Sequence, residues 1–381
     1  MKHKPTDTSM KIAYYMPFKT MGHPNPSGDL IIGSELYEHL NKNNSVELVS
    51  PLRARWIYFN PLRLLQLFFE RQRIINRLKN SPPDLWFSYH SYYKAPDLLG
   101  PYCSNKLKRP YVIFQAIYST KRRKNLWTLP GFLLNKATLE HATHIFTNKR
   151  VDHKNLLRLI PEEKLTYIAP GIRPGDFEFS AEKRKELRPQ WAAKDEVLII
   201  TAAMMRPGVK TDGISKVIEA CSSLQKKGHQ LKLLIIGDGE SRAGLTRQAK
   251  QLLPGRVHFL GKIPRKELYQ YFSCADIFAF PGIQESLGMV YLEAQSCRLP
   301  AVAFEDWGGK EAIVHNQTGL LSPAGEPERF RDNIERLIVD SKLRHTLAGK
   351  AEQHIRANHN LKYNYNTLDK KLQELCDAAK N

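Results

Sequence analysis

The residues best suited to chemistry sit in one run, GIQESLGMVYLEAQ, where Glu285 and Glu293 stand eight positions apart. The preceding Asp276–Pro281 (DIFAFP) reads as a buried strand ended by proline. Gly282–Gly288 reads as a polar, glycine-bounded loop, and Met289–Ser296 as the start of a helix. Free backbone N–H groups at such a helix start favour an anionic ligand, and Gly288 lets the backbone approach that ligand closely. Glu285 falls in the loop and Glu293 about two turns up the helix. A carboxylate accepts hydrogen bonds from two neighbouring hydroxyls, which is a way to hold a ribose or a hexose. Taken alone, the same pair reads equally well as a first-turn helix charge and a solvated helix face.

The elements that must position this run alternate strand and helix. Apolar segments at 11–17, 46–50, 85–88, 111–114 and 144–147 have the length and composition of buried parallel strands, and 30–43 has helical spacing. Proline and glycine accumulate in YIAPGIRPGD, 167–176, which predicts a linker. A second series follows, with strands at 197–201, 231–236, 257–260, 277–280 and 301–304, and a terminal helix over 361–379. A chain of 381 residues accommodates two such layers. The expected division is residues 1–175, residues 176–355, and a final segment 356–381 returning to the first domain. Ligands of open α/β sheets bind outside the carboxyl ends of the strands, here in a cleft between the domains.

The order of motifs in the second half resembles that of the retaining glycosyltransferases of family 4, which have the GT-B fold of two doubly wound, Rossmann-like α/β domains facing a central cleft. The resemblance covers about residues 196–322. It is carried by IIGDGE at 235–240, VHFLGKI at 257–263, ADIFAFPGIQESLGMVYLEAQSCRLPAVA at 275–303, and GG-x-E with TGLL at 308–321. It implies that Glu285 contacts the transferred sugar of a nucleotide-sugar donor and that Glu293 holds the ribose hydroxyls. Backbone N–H groups of Leu287, Gly288 and Met289 then face the diphosphate or sugar, and Gly237 and Ile263 fall on the donor side. Arg206 and Lys210 in MMRPGVK match the basic pair that clamps the diphosphate, where negative charge develops on the departing phosphate. The two could also be solvated loop charges, and Gly237 and Gly239 could simply form a strand-to-helix turn.

The first half matches more weakly. Relatives carry a glycine-rich loop after the first strand. Here that loop is Pro26-Ser27-Gly28-Asp29, leaving Gly28 as the candidate. His90 matches a histidine on the acceptor side. Gln115 stands where many relatives have a second histidine, and Gln cannot act as a general base; retaining transfer can use the donor phosphate as base instead.

Composition bounds the rest. Five scattered cysteines, without a CxxC pair or a Cys/His cluster, point away from a disulfide framework or zinc site and toward a reducing cytoplasm. No signal-like leader and no run of apolar residues long enough to span a bilayer is read, so any membrane contact is expected to be peripheral. Net charge is +20, concentrated in residues 51–150, where 18 Lys and Arg face 4 Asp and Glu. In 53–79 and 121–127 these basic residues interleave with Trp, Phe and Leu. That texture fits an anionic membrane surface and equally a core-packed helix with a solvated basic side; no nucleic-acid motif accompanies it. The expectation is a cytoplasmic hexosyltransferase of cell-surface glycan or glycolipid synthesis. Its partners are a nucleotide sugar and a glycan or lipid-linked acceptor, with no cofactor and no metal. Competing readings are a sugar-nucleotide epimerase or another enzyme on the same fold, and a non-catalytic basic binding protein.

Overall fold

The structure, a computed structural model, describes residues 9–22 and 28–380. It forms two compact units, Met1–Ile168 with Tyr365–Asn381, and Ala169–Asn364. The division falls between Ile168 and Ala169, against an expected boundary after 175, and the chain re-enters the first unit at Tyr365, against an expected 356. The 167–176 linker is tied down by backbone: Ile172 N–H donates to the His359 carbonyl (2.9 Å) and Leu361 N–H to the Ile172 carbonyl (2.8 Å).

In the first unit, β1 (Lys11–Tyr15) leads to α1 (Gly28–Asn43), β2 (Ser45–Leu48) and α2 (Pro61–Leu78). Then come β3 (Leu85–Ser91), α3 (Gly100–Leu107), β4 (Tyr111–Ala116), α4 (Leu129–His141), β5 (His144–Thr147), α5 (Arg150–Leu156) and β6 (Leu165–Tyr167). The six strands form one sheet, β2-β1-β3-β4-β5-β6, every pairing parallel. All residues of β3 and β4 are buried, as a parallel sheet covered on both faces requires. Trp86, Tyr111, Ile113 and Ile145 form the centre of one side of its core.

In the second unit, α6 (Ala181–Trp191) precedes β7 (Val197–Ala202), α7 (Val209–Lys226), β8 (Leu231–Ile236), α8 (Arg242–Leu252) and β9 (Val257–Gly261). There follow α9 (Leu268–Cys274), β10 (Ile277–Ala279), α10 (Met289–Ser296), β11 (Ala301–Phe304), α11 (Gly309–Ala312), β12 (Gly319–Ser322), α12 (Pro327–Val339) and α13 (Ser341–Asn358). The last helix, α14 (Leu361–Ala378), belongs to the first unit from Tyr365 on. The second sheet runs β12-β11-β10-β7-β8-β9, again all parallel. Its Leu- and Ile-rich strands β7 and β8 are almost wholly buried, while the edge strand β9 is half-buried.

Both sheets are doubly wound, and each has one point where the strand order reverses. In the first it lies between β1 and β3, in the second between β7 and β10. The loops leaving the carboxyl ends of those two strands diverge to opposite faces and open a crevice for a ligand. The outermost strands β6 and β12 were not anticipated from the sequence. Their sequences, LTY and GLLS, break the apolar run with Thr, Gly or Ser, so no apolar segment stands out there.

Candidate active site

In the second unit the reversal point gathers the residues singled out by sequence. The loop after β7 carries Arg206, and the first turn of α7 carries Lys210. The loop after β10 carries Glu285. Because β7 and β10 pair directly, with Ile199 opposite Ile277, their outgoing loops are neighbours. Lys210 Nζ donates to Glu285 Oε2 and also stands 5.4 Å from the Phe280 ring centroid. Both side chains keep some exposure, 25% and 18%, so the pair is open to exchange of partners. Arg206 is exposed on the loop after β7, and its carbonyl accepts from the Thr211 hydroxyl at 2.7 Å.

The loop holding Glu285 is unusually constrained. Gly282, Gln284 and Gly288 all have positive φ, at 67°, 53° and 66°. Non-glycine residues rarely occupy that region, and strain of this kind collects at functional sites. Glu285 is fixed at both ends of its peptide: its N–H donates to the Gly282 carbonyl (2.9 Å) and its carbonyl accepts from Gly308 N–H (2.9 Å). Gly288 precedes α10, and a Cβ there would lie 2.4 Å from Tyr291 Cδ2. The same ring blocks Gly282, where a Cβ would lie 2.1 Å from the Tyr291 hydroxyl. Tyr291 is fully buried and its hydroxyl donates to the Phe280 carbonyl at 2.8 Å. It is the post against which both corners of the loop turn. Burial, reinforced by the Glu285 charge, raises its pKa well above the usual phenol value, so it stays a neutral donor.

Leu287 is buried, Gly288 is the residue before the helix, and Met289 begins it. Their backbone N–H groups are at the helix start, where the peptide dipoles favour negative charge. Glu293 lies one side-chain layer deeper, 6% exposed, and its Oε1 accepts from Arg265 Nε at 2.8 Å. The solvated-face alternative for Glu293 is therefore wrong: α10 is buried along Tyr291–Ser296, and the carboxylate needs a cation to remain charged there. Arg265 also stands over the Phe177 ring, 5.4 Å from its centroid.

Gly237 has φ 130°, and a Cβ on it would lie 1.9 Å from the Ala203 carbonyl oxygen. Its bare backbone seats the loop that carries Arg206, a closer demand than a plain turn makes. Met205 N–H donates to the Asp238 carbonyl at 3.0 Å and completes that seat. Ile263, just beyond β9, is half-buried against the same core.

The first unit has its own cluster at its own reversal point. Gly28, the first residue of α1, is exposed with open space around it; the adjoining Pro26 and Ser27 lie outside the described residues. The next residue, Asp29, accepts from Gln115 Nε2 at 3.0 Å, and Gln115 Oε1 accepts from the Tyr89 hydroxyl at 2.7 Å. His90 and Gln115 come at the ends of the neighbouring strands β3 and β4, and both have left-handed backbone, φ 70° and 62°. Burial, helped by the Lys149 charge and opposed by the pull of Asp29, lowers the His90 pKa to about 4. Burial pushes the Asp29 carboxyl up, but His90, Lys149, the Gln115 amide and Lys19 together hold it below the usual carboxylate value. The result is a neutral imidazole beside an ionised carboxylate. His90 Nδ1 is buried without a hydrogen-bond partner among the described residues.

Sequence reading missed four contributors: Tyr291, Arg265, Asp29 and Lys149. Tyr291 and Asp29 were in view, two residues from Met289 and next to Gly28, but neither type signals a role by itself. Arg265 and Lys149 act on residues far along the chain, which spacing does not reveal. Among the described residues no group of three or more His, Cys, Asp or Glu is placed to hold a metal ion.

Residues 183–354, wholly within the second unit, match the family described as glycosyl transferases group 1. A GDP-mannose-dependent alpha-(1-6)-phosphatidylinositol monomannoside mannosyltransferase of Mycobacterium tuberculosis is 26% identical over 231 residues, 58% of this chain and 58% of that protein. The chain thus aligns with under two thirds of that relative's length. The capsular polysaccharide biosynthesis glycosyltransferase CapM of Staphylococcus aureus is 24% identical over 336 residues, 85% of this chain and 84% of the relative. Among solved structures, Anabaena Alr3699/HepE in complex with UDP superposes with a TM-score of 0.74 at 18% identity, covering 96% of this chain and 100% of that one. WaaG, a glycosyltransferase involved in lipopolysaccharide biosynthesis, gives 0.66 at 17% identity, over 94% of this chain and 98% of that one. The fold is GT-B, with two Rossmann-like parallel-sheet domains.

Proposed function

We propose that the chain is a retaining glycosyltransferase that moves a hexose from a nucleoside-diphosphate sugar to an acceptor hydroxyl on a glycan or lipid-linked sugar. One observation carries the reading: Lys210 and Glu285 meet across the second reversal point, beside the start of α10. A lysine there can bind a diphosphate, and the carboxylate it releases can accept from sugar hydroxyls. Free protein then holds both groups as a pair, and the donor separates them into two roles. Arg206 adds a second cation, and Glu293 takes the ribose hydroxyls from the Arg265 side. Relatives named for GDP-mannose, and a neighbour solved with UDP, support a nucleotide-linked donor.

In the reaction the bond from the sugar C1 to the diphosphate oxygen breaks, and a bond from C1 to the acceptor oxygen forms on the same face. The acceptor proton passes to the departing phosphate oxygen, leaving a glycoside and a nucleoside diphosphate. Lys210, Arg206 and the α10 N–H groups stabilise the charge that grows on that leaving group. No step needs a metal. Proton NMR of the product, formed with UDP-, GDP- or ADP-hexoses, tests this. The reading expects the donor's anomeric configuration in the product and loss of turnover in Glu285→Ala. An inverted product refutes retention, and a 4-epimeric sugar nucleotide, or no product from any donor, refutes transfer.

A further inference from the structure

We infer that the first unit docks on an anionic lipid bilayer through the outer side of α2 and the 121–127 segment. The inference is independent of the donor reading.

Helix α2 is built with two apolar sides where a surface helix needs one. Leu67, Ile74 and Leu78, at seven- and four-residue steps, are buried and fasten it to the sheet. On the outer side Leu62, Leu65 and Phe69, at three- and four-residue steps, are 78%, 54% and 61% exposed. Single exposed leucines are ordinary, but a row of them is not. The row continues on a separate segment. Leu126 and Trp127 are 83% and 75% exposed, and the Trp127 ring lies 5.9 Å from that of Phe59, just before α2. Two segments some sixty residues apart in the chain therefore present one apolar surface.

The charge around this surface selects its partner. Lys121, Arg122, Arg123 and Lys124 form a short turn of 3₁₀ helix, all exposed, directly preceding Leu126 and Trp127. Arg122 stands over the Tyr93 ring at 4.6 Å, and Lys94 over Trp56 at 5.8 Å, so basic heads and aromatic bodies share the face. Residues 51–150 as a whole carry 18 Lys and Arg against 4 Asp and Glu. A second copy of the chain would bring like charge against like charge. Nucleic acid would satisfy the cations and leave the exposed leucines and phenylalanines in water. An anionic bilayer answers both halves: phosphate headgroups meet the basic ring, while Leu, Phe and Trp enter the acyl boundary. No helix among the described residues is long and apolar enough to cross a membrane, and the geometry is that of a helix lying in the interface plane.

The test is co-sedimentation of the full chain, without nucleotide sugar, on vesicles of phosphatidylcholine alone and of phosphatidylcholine with phosphatidylglycerol in equal parts. Binding is expected to be at least about tenfold tighter on the anionic vesicles, with a blue shift of tryptophan emission that disappears in Trp127→Phe. The double variant Leu65→Asp, Phe69→Asp lies on exposed positions and should keep the melting temperature while losing most vesicle binding. Lys121→Glu with Arg123→Glu should do the same. Absence of binding overturns the inference. So does binding that the Leu65 and Phe69 substitutions leave unchanged, or equal binding to a duplex RNA, since either makes the face a plain polyanion site.

Discussion

The two units use the same topological device and fill it oppositely. Each sheet reverses its strand order once, and each reversal point collects the polar residues that leave it. In the second unit the residues are charged side chains held near water: Lys210 against Glu285, with Arg206 open on the loop after β7. In the first most are buried and uncharged: Gln115 between Tyr89 and the half-buried, ionised Asp29, beside a neutral His90. Open charges can change partners when a charged ligand arrives, whereas a buried hydrogen-bonded network holds one geometry. Under the proposed function, the diphosphate falls to the second unit and a positioning task to the first.

Substitutions at the two places should therefore separate binding and turnover from stability. The largest effect is expected from Lys210→Ala, which should lower kcat by roughly two to three orders of magnitude by removing leaving-group stabilisation. Its melting temperature should scarcely move, because a part-exposed ion pair contributes little to folding. Steady-state kinetics beside thermal melts checks both halves. Glu293→Ala comes next, weakening donor binding by about 10- to 100-fold, as expected for hydrogen bonds to a charged group. It should also cost stability, since the hydrogen bond from Arg265 Nε is lost; titration calorimetry and urea unfolding measure the two effects.

Backbone and buried-network changes should be felt mainly in stability. Gly288→Ala places a Cβ against Tyr291 at a left-handed position and should cost about 1–2 kcal/mol in urea unfolding. Gln115→Ala strands the Tyr89 hydroxyl and Asp29 and should cost about 1–3 kcal/mol, with donor affinity unchanged. A large loss of donor affinity in that variant would break the contrast between the units.

The smallest effect is a pH dependence that runs through histidines of both units, since burial also lowers the pKa values of His258 and His354 of the second unit, and it is most pronounced in the first. His90 and His144 both have pKa values lowered from 6.5 to about 4, chiefly by burial. Between those values the unfolded chain binds protons that the folded chain refuses. Stability should thus be full above the unfolded value and fall as pH drops from 6.5 toward 4. His90→Asn tolerates the same left-handed backbone and should flatten part of that slope in melts taken across the window.

Much of this was legible in the sequence. Most strands of both sheets and the strand-loop-helix unit around Glu285 follow from local pattern, while the basic residues after β7 were picked out by the resemblance. What stayed hidden is nonlocal or conformational. No pattern announces that Arg265 closes on Glu293, or that one tyrosine ring supports Gly282 and Gly288. The left-handed backbone at His90 and Gln115 is announced by no sequence pattern. The exposed side of α2 was ambiguous for a different reason: apolar residues on a helix predict burial until the packing shows which row is used.

The most direct test of the central claim is calorimetric titration of UDP-, GDP- and ADP-sugars into the wild-type chain and into Lys210→Ala and Glu285→Ala. The account predicts saturable binding of at least one donor, weakened by about tenfold or more in Lys210→Ala, where one charge-assisted contact to phosphate is lost. Binding of no donor, or equal affinity in all three proteins, would contradict it.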